Sequence, residues 1–222
     1  MEEHIVKILR AEYLTHDIKR FVVEKPAGYT FIPGQATEVS INTPAFKDLK
    51  RPFTFTGLNE WDYLEFIIKI YRDHKGVTNE LGQTNAGDEL IVRDVWGTIQ
   101  YKKPGTFIAG GAGITPFIAI LRDLHKKGQV HGCSMVFSVK GSDDVILERE
   151  FKEMLGSDFH TVFTRENVMG YREREIDKNY LIETVRDFGQ HFYVCGPKLF
   201  VTNINAMLQQ LGADSDALVF ER

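Results

Sequence analysis

The chain has 222 residues, 43% of them hydrophobic, enough for one large domain or two modest ones to bury sizeable cores without covalent staples. Its 27 Lys and Arg against 31 Asp and Glu leave a net charge of -4, and basic pairs such as Lys102 with Lys103 and Lys126 with Lys127 stand isolated, so a nucleic-acid partner is not expected. Two distant cysteines, Cys133 and Cys195, exclude a thiolate-held zinc or iron-sulfur cluster, no metal is expected, and no apolar run reaches the ~18 residues of a membrane helix.

Residues 1–10 carry two acids and no apolar signal core, which predicts a cytoplasmic protein with no membrane contact. The seven histidines form no HExxH and no serine lies in GxSxG, so neither a metalloprotease nor a serine hydrolase is indicated.

In chain order, short strands are predicted at 4–9, 18–24, 35–41, 53–56, 63–70 and 89–93. Leu64, Phe66, Ile68 and Ile70 alternate along one of them, and Pro26 with Gly28, Pro33 with Gly34 and Gly87 with Asp88 mark reversals. The pattern predicts an antiparallel Greek-key β-barrel over residues 1–102. After Pro104 and Gly105 the spacing changes: apolar runs at 107–109, 135–139, 161–163, 192–195 and 218–220 alternate with helix-length segments, predicting an α/β domain with a parallel sheet over 103–222. One helix is expected to open with Thr115 as cap and Pro116 at its first position, run through Phe117, Ile118, Leu121 and Leu124, and stop at Gly128. The last carries Val201, Ile204, Met207, Leu208 and Leu211 on one face and stops at Gly212.

Four local motifs carry chemistry, each with a plainer alternative. Arg51, Pro52, Phe53 and Thr54 place a guanidinium, a ring and a hydroxyl on one strand, although a packed Phe53 and a solvated Arg51 explain the same letters. Lys75, Gly76, Val77 and Thr78 can turn backbone N–H groups toward a phosphate, or form an ordinary capped turn. Gly110, Gly111, Ala112, Gly113, Ile114, Thr115 and Pro116 follow a buried strand and open an amphipathic helix; they suit a pyrophosphate or a tight strand-to-helix turn, and they are not the GxGxxG fingerprint. Cys195, Gly196 and Pro197 repeat the strand-to-helix arrangement, with Cys195 equally readable as a small buried hydrophobe.

Taken in order, RPFT at 51–54, KGVT at 75–78, GGAGITP at 110–116, CGP at 195–197 and Glu221 resemble the ferredoxin-NADP reductase superfamily across nearly the whole chain. The resemblance implies an FAD, with FMN as the alternative, in the barrel: Arg51 on its phosphate, Pro52 also in contact with the cofactor, Phe53 against the isoalloxazine or ribityl chain, Thr54 toward flavin N5, backbone of Ile67, Ile68, Lys69 and Ile70 along the ring, and Gly76, Val77 and Thr78 on the pyrophosphate. It places the nicotinamide dinucleotide on Gly110, Gly111, Ala112, Gly113, Thr115, Pro116, Gly196 and Pro197, with Cys195 by the ring. Thr54, Cys195 and Glu221 are the implied catalytic set for hydride transfer from nicotinamide C4 to flavin N5. The aromatic residue that the family carries after the acid is replaced by Arg222, and its frequent tyrosine in the first motif by Phe53.

Lys140, Arg165 and Arg174, with Arg172 nearby, are expected to converge on a 2′-phosphate, favouring NADPH over NADH; a solvated charge cluster is the alternative. With no iron-sulfur cysteines of its own, the chain is expected to pass electrons singly to a flavodoxin or ferredoxin, as a monomer. Reduction of free flavin, ferric complexes or quinone, or service as an electron-transfer subunit of a larger oxidoreductase, are the competing readings.

Overall fold

Alternation of apolar and polar residues folds the first half into six antiparallel strands: β1 (Glu3–Tyr13), β2 (Ile18–Glu24), β3 (Ala36–Ile41), β4 (Arg51–Thr54), β5 (Tyr63–Lys69) and β6 (Glu89–Trp96). The structure is a computed structural model that describes residues 2–73, 75–97, 99–169 and 174–220. The strand order is β4-β3-β6-β1-β2-β5. β1 serves two neighbours: Glu3 to Lys7 pair with β6, Ile8 to Tyr13 with β2, and an irregularity between Ile8 and Arg10 bends the strand as a bulge does. The sheet curls until Thr56 N donates to the Glu65 carbonyl (2.9 Å) and Thr56 Oγ1 to Glu65 Oε1 (2.9 Å), which nearly closes it into a barrel.

Inside lie Phe21, Val39, Phe55, Leu64, Phe66, Leu90 and Val92, with the Phe31 and Phe55 rings stacked at 4.1 Å. Each such side chain contributes roughly 1.5–3 kcal/mol by leaving water. The fourth strand begins two residues earlier than predicted and stops at Thr54, because Pro52 is tolerated on an edge strand while Phe55 N turns to the Gln35 carbonyl (3.1 Å) and Thr56 to Glu65. A short helix, α1 (Val77–Leu81), plugs into this core through Val77 and Leu81.

The second half alternates strand and helix: β7 (Gly105–Gly110), α2 (Thr115–Lys126), β8 (Ser134–Val139), α3 (Glu148–Leu155), β9 (Phe159–Phe163), α4 (Lys178–Thr184), β10 (His191–Cys195), α5 (Lys198–Gln210) and β11 (Leu218–Phe220). All five strands are parallel in the order β11-β10-β7-β8-β9, and β7 is buried throughout. Tyr193, fully buried on β10, stacks on Phe107 at 4.5 Å. Its hydroxyl accepts from Lys102 N (2.9 Å) and Lys103 N (3.0 Å) and donates to the Lys103 carbonyl (2.8 Å), tying the chain that enters β7 to the sheet. By proximity the chain forms two units, Met1–Thr98 with Thr115–Ile120 and Ile99–Ile114 with Leu121–Arg222. Among the described residues no helix is long and apolar enough to cross a membrane.

The expected cap of α2 is displaced. A 3-10 turn, Gly111–Ile114, already winds the backbone, so Ile114 (φ -70°, ψ -24°) is the N-cap and Thr115 the first helical residue, with no side-chain cap bond. Pro116 still falls in the first turn, where its missing N–H leaves nothing unsatisfied. Gly128 (φ +67°) and Gly212 (φ +100°) take the left-handed conformation just beyond α2 and α5, as predicted.

Candidate functional site

In the barrel unit, β4 lies at the end of the sheet order, paired only with β3: Val39 faces Arg51, Glu38 Pro52, Thr37 Phe53 and Ala36 Thr54. Phe53 packs partly onto the barrel core, whereas Arg51 is exposed and bonds, among the described residues, only to the adjacent Lys50 carbonyl (2.8 Å). A guanidinium has five N–H donors in a planar fork, so most of this one remains available to an anion. Thr54 Oγ1 donates to Thr115 Oγ1 at 2.9 Å, within the same unit. That bond is where the hydroxyl of the displaced cap goes.

β5 closes the other end of the sheet order. Ile67, Ile68 and Ile70 bury their side chains, and Lys69 pairs with Asp17 (2.9 Å), so only backbone along this strand can meet a ligand. Gly76 precedes α1 in open space, an ideal Cβ there meeting nothing within 4 Å, and it provides no side-chain cap. The N–H groups of Val77, Thr78 and Asn79 find no acceptor among the described residues. Unfilled donors beside an uncapped glycine suit a diphosphate.

In the α/β unit, the GGAG and CGP loops leave the carboxyl ends of the neighbouring parallel strands β7 and β10, on either side of the point where strand order reverses. Open α/β sheets bind ligands at that point. Here the glycines separate into two kinds. An ideal Cβ on Gly113 would stand 2.5 Å from the Cys195 carbonyl carbon and the Gly196 nitrogen, and one on Gly110 would press 3.1 Å onto the Phe200 ring. Those two are small because the loops pack on each other and on Phe200. Gly111 differs: it has φ +53° and nothing within 4 Å, so its backbone fronts free space. Cys195 is 6% exposed at the end of β10, Gly196 half-buried, and Pro197 exposed ahead of α5.

Of the cations expected at a 2′-phosphate, Lys140 and Arg165 are exposed at adjoining strand ends, Arg165 N donating to the Lys140 carbonyl (2.9 Å). Arg174 is engaged elsewhere: it pairs with Glu183 (2.9 Å) and Asp177 (3.7 Å), its guanidinium carbon 4.6 Å from the centre of the Tyr180 ring. Arg172, Glu221 and Arg222 lie outside the described residues.

Two features escaped the motif reading. Glu166 accepts from Ser142 N (2.6 Å) and Ser142 Oγ (3.1 Å) and so puts a carboxylate over the turn after β8; its position directly after Arg165 was the only hint. Phe200 underlies the glycine loops and continues, at 200, 204 and 208, the same helical spacing that marked α5.

Residues 107–206 match the family model described as "Oxidoreductase NAD-binding domain". The reductase component of propane 2-monooxygenase from Rhodococcus jostii is 25% identical over 97% of this chain and 62% of its own length. NADH-cytochrome b5 reductase 1 of Arabidopsis thaliana is 28% identical over 66% of this chain and 55% of its own. The chain thus spans less than two thirds of either relative. Among solved structures, a ferredoxin NADP+ reductase from Neisseria gonorrhoeae with bound FAD and NADP superposes with a TM-score of 0.84 at 18% identity, covering 100% of this chain and 98% of that one. At that identity the agreement establishes the two-part fold.

Proposed function

We propose that the chain is a member of the ferredoxin-NADP reductase superfamily, a reading that the matched NAD-binding family model and the shared two-part fold support, and that it is an NAD(P)H-dependent flavoprotein reductase that delivers electrons one at a time to a flavodoxin or ferredoxin. Bound FAD would supply the conversion between a two-electron hydride donor and a one-electron acceptor, chemistry no side chain offers. The observation that carries the reading is the approach of Gly113 to Cys195 at the reversal point of the sheet, which leaves Gly111 alone facing open space.

Each residue has a task in this reading. Arg51 holds a flavin phosphate with its free guanidinium donors, the turn of Gly76, Val77 and Thr78 holds the second phosphate with backbone N–H groups and the Thr78 hydroxyl, and Phe53 gives an apolar flank. The free edge of β5 at Ile67 to Ile70 presents backbone to the ring. Thr54 offers a hydroxyl whose orientation is set by its bond to Thr115, so one donor stays aligned without reorganisation. Gly111 to Pro116 receive the dinucleotide phosphates, and Cys195, Gly196 and Pro197 border the nicotinamide, Glu221 being assigned there by motif alone. Alignment is the protein's main contribution, since hydride transfer needs no initiating base.

For the dinucleotide, exposed Lys140 and Arg165 support NADPH. A second reading, NADH, is favoured by Glu166: a carboxylate fixed on Ser142 repels a 2′-phosphate and accepts a bond from a ribose hydroxyl, while Arg174 is already paired. Glu166→Gln is expected to raise the ratio of kcat/KM for NADPH over NADH by about tenfold, ~1.4 kcal/mol. An unchanged ratio removes Glu166 from the discrimination.

The acceptor is tested by steady-state turnover of the FAD-loaded protein with purified flavodoxin and ferredoxin in parallel with free FMN, ferric citrate and a quinone. Saturable turnover with a protein acceptor is the expected result. Turnover confined to the small acceptors moves the function to the competing reading, and turnover with an oxygenase component or cytochrome b5 alone, the partners for which the relatives are named, shifts the acceptor class.

A further inference from the structure

Lys19, the second residue of β2, is 3% exposed, an uncommon burial for an ammonium. It has no carboxylate at hydrogen-bond distance. Its Nζ donates instead to three carbonyls, those of Leu81 (3.4 Å), Gly82 (3.0 Å) and Thr84 (2.6 Å), which matches the three donors the group has. The Tyr13 and Phe21 rings sit 5.2 Å and 5.3 Å from it, and the Tyr13 hydroxyl also donates to the Gly82 carbonyl (3.2 Å). These carbonyls are the last of α1 and of the turn that follows it, the end of a helix that attracts a cation.

Gly82 packs so closely that an ideal Cβ would stand 2.8 Å from Ile70 Cγ2 and 2.9 Å from the Asn79 carbonyl oxygen, so the end of α1 sits directly against Ile70. The five residues of α1 then fix its start, and the start is the turn of Gly76, Val77 and Thr78. Lys19 is also the cross-strand partner of Ile68, in the stretch assigned to the flavin ring. A charge buried at the expense of its hydration, with three main-chain oxygens, two ring faces and the more distant Asp88 carboxylate in return but no hydrogen-bonded ion pair, is hard to explain by stability alone, because an apolar residue of similar volume fills such a site at less cost.

We infer that Lys19 is a positioning residue for the flavin diphosphate: by gripping the carbonyls of Leu81, Gly82 and Thr84 it locks the end of α1 and thereby holds the N–H groups of Val77 and Thr78, and the Thr78 hydroxyl, where the phosphate needs them. The inference rests on the reading of that turn as phosphate-holding.

The test is titration of the flavin-free protein with FAD, followed by quenching of flavin fluorescence, at a temperature where thermal unfolding shows every variant folded. Lys19→Met is expected to raise the FAD Kd about tenfold. Thr78→Val and Arg51→Ala are expected to raise it on their own. In the Lys19→Met background Thr78→Val should add little, since both act through one turn, while Arg51→Ala on β4 should add in full. An unchanged Kd in Lys19→Met, or full additivity with Thr78→Val, overturns the inference. If Thr78→Val and Arg51→Ala both leave Kd unchanged, the flavin-site reading itself fails, which is a different result. Should Lys19→Met not fold, Tyr13→Phe removes one donor from the same Gly82 carbonyl; a two- to threefold rise that is non-additive with Thr78→Val is expected, and additivity there counts equally against the role.

Discussion

A methyl group at position 113 has nowhere to go: it would meet the backbone of Cys195 and Gly196, neither of which can swing aside as a side chain does. Gly113→Ala is therefore expected to pry the two loops apart and weaken dinucleotide binding at least tenfold, measured as the KM for NADH and NADPH, while FAD affinity, which depends on the barrel, stays within twofold. Equal loss of both would mean that the α/β unit had collapsed. The same scale holds a pH effect. Arg93 is buried, and its hydrogen bond and charge hold the Glu3 carboxyl below its usual range of about 4.5. A lowered carboxylate pKa gives stability that is present above the unfolded value and lost as pH falls through the folded one. Glu3→Gln should lower Tm at neutral pH and flatten the fall in Tm below about pH 4.5, read by thermal unfolding across a pH series. A parallel fall in both proteins would remove the pair from acid sensitivity.

Residues also differ in how far the sequence discloses them. The glycine runs were legible because a strand-loop-helix junction restricts which residues fit locally. Their reasons were not: Gly110 and Gly113 answer to Phe200 and Cys195, more than eighty residues along the chain, and of the three only Gly111 fronts open space. Lys19 was invisible for a similar reason. Nothing in its own strand distinguishes it from a solvated lysine, and its carbonyl partners lie 62 to 65 positions away.

Among elements, strands and helices were read well where one face is apolar, since periodicity of two or 3.6 survives any tertiary context. Both glycine stops, at 128 and 212, appear where the pattern ended. Gly212→Ala forces a left-handed conformation on a residue with a Cβ and is expected to cost about 1–2 kcal/mol, seen as a lower Tm without a change in FAD Kd. No loss would mean that the loop after α5 relaxes freely. Of the boundaries that differ from expectation, two have a plain physical reason. The start of α2 moved because a 3-10 turn supplied the cap, and β4 moved because its last residues bond across to Gln35 and Glu65, a barrel closure that no local signal records.

At the scale of the molecule, the change from period-two strands to alternating strand and helix predicted the two architectures found, an antiparallel barrel and a five-stranded parallel sheet. Both are needed by the proposed chemistry, since neither the barrel loops nor the sheet loops alone supply phosphate sites for a flavin and a dinucleotide. Neither cysteine offers an exposed thiol: Cys133 is buried, and burial pushes its thiol pKa upward, against reactivity. The account therefore stands or falls on flavin chemistry.

The decisive measurement is the visible spectrum of the FAD-saturated protein, recorded without oxygen before and after one equivalent of NADH or NADPH, alongside Arg51→Ala and Gly113→Ala. The account predicts a bound-flavin spectrum that bleaches with dinucleotide, loss of the bound flavin in the first variant, and retained flavin with slowed bleaching in the second. A protein that binds no FAD, or whose bound FAD is left oxidised by both dinucleotides, would contradict it.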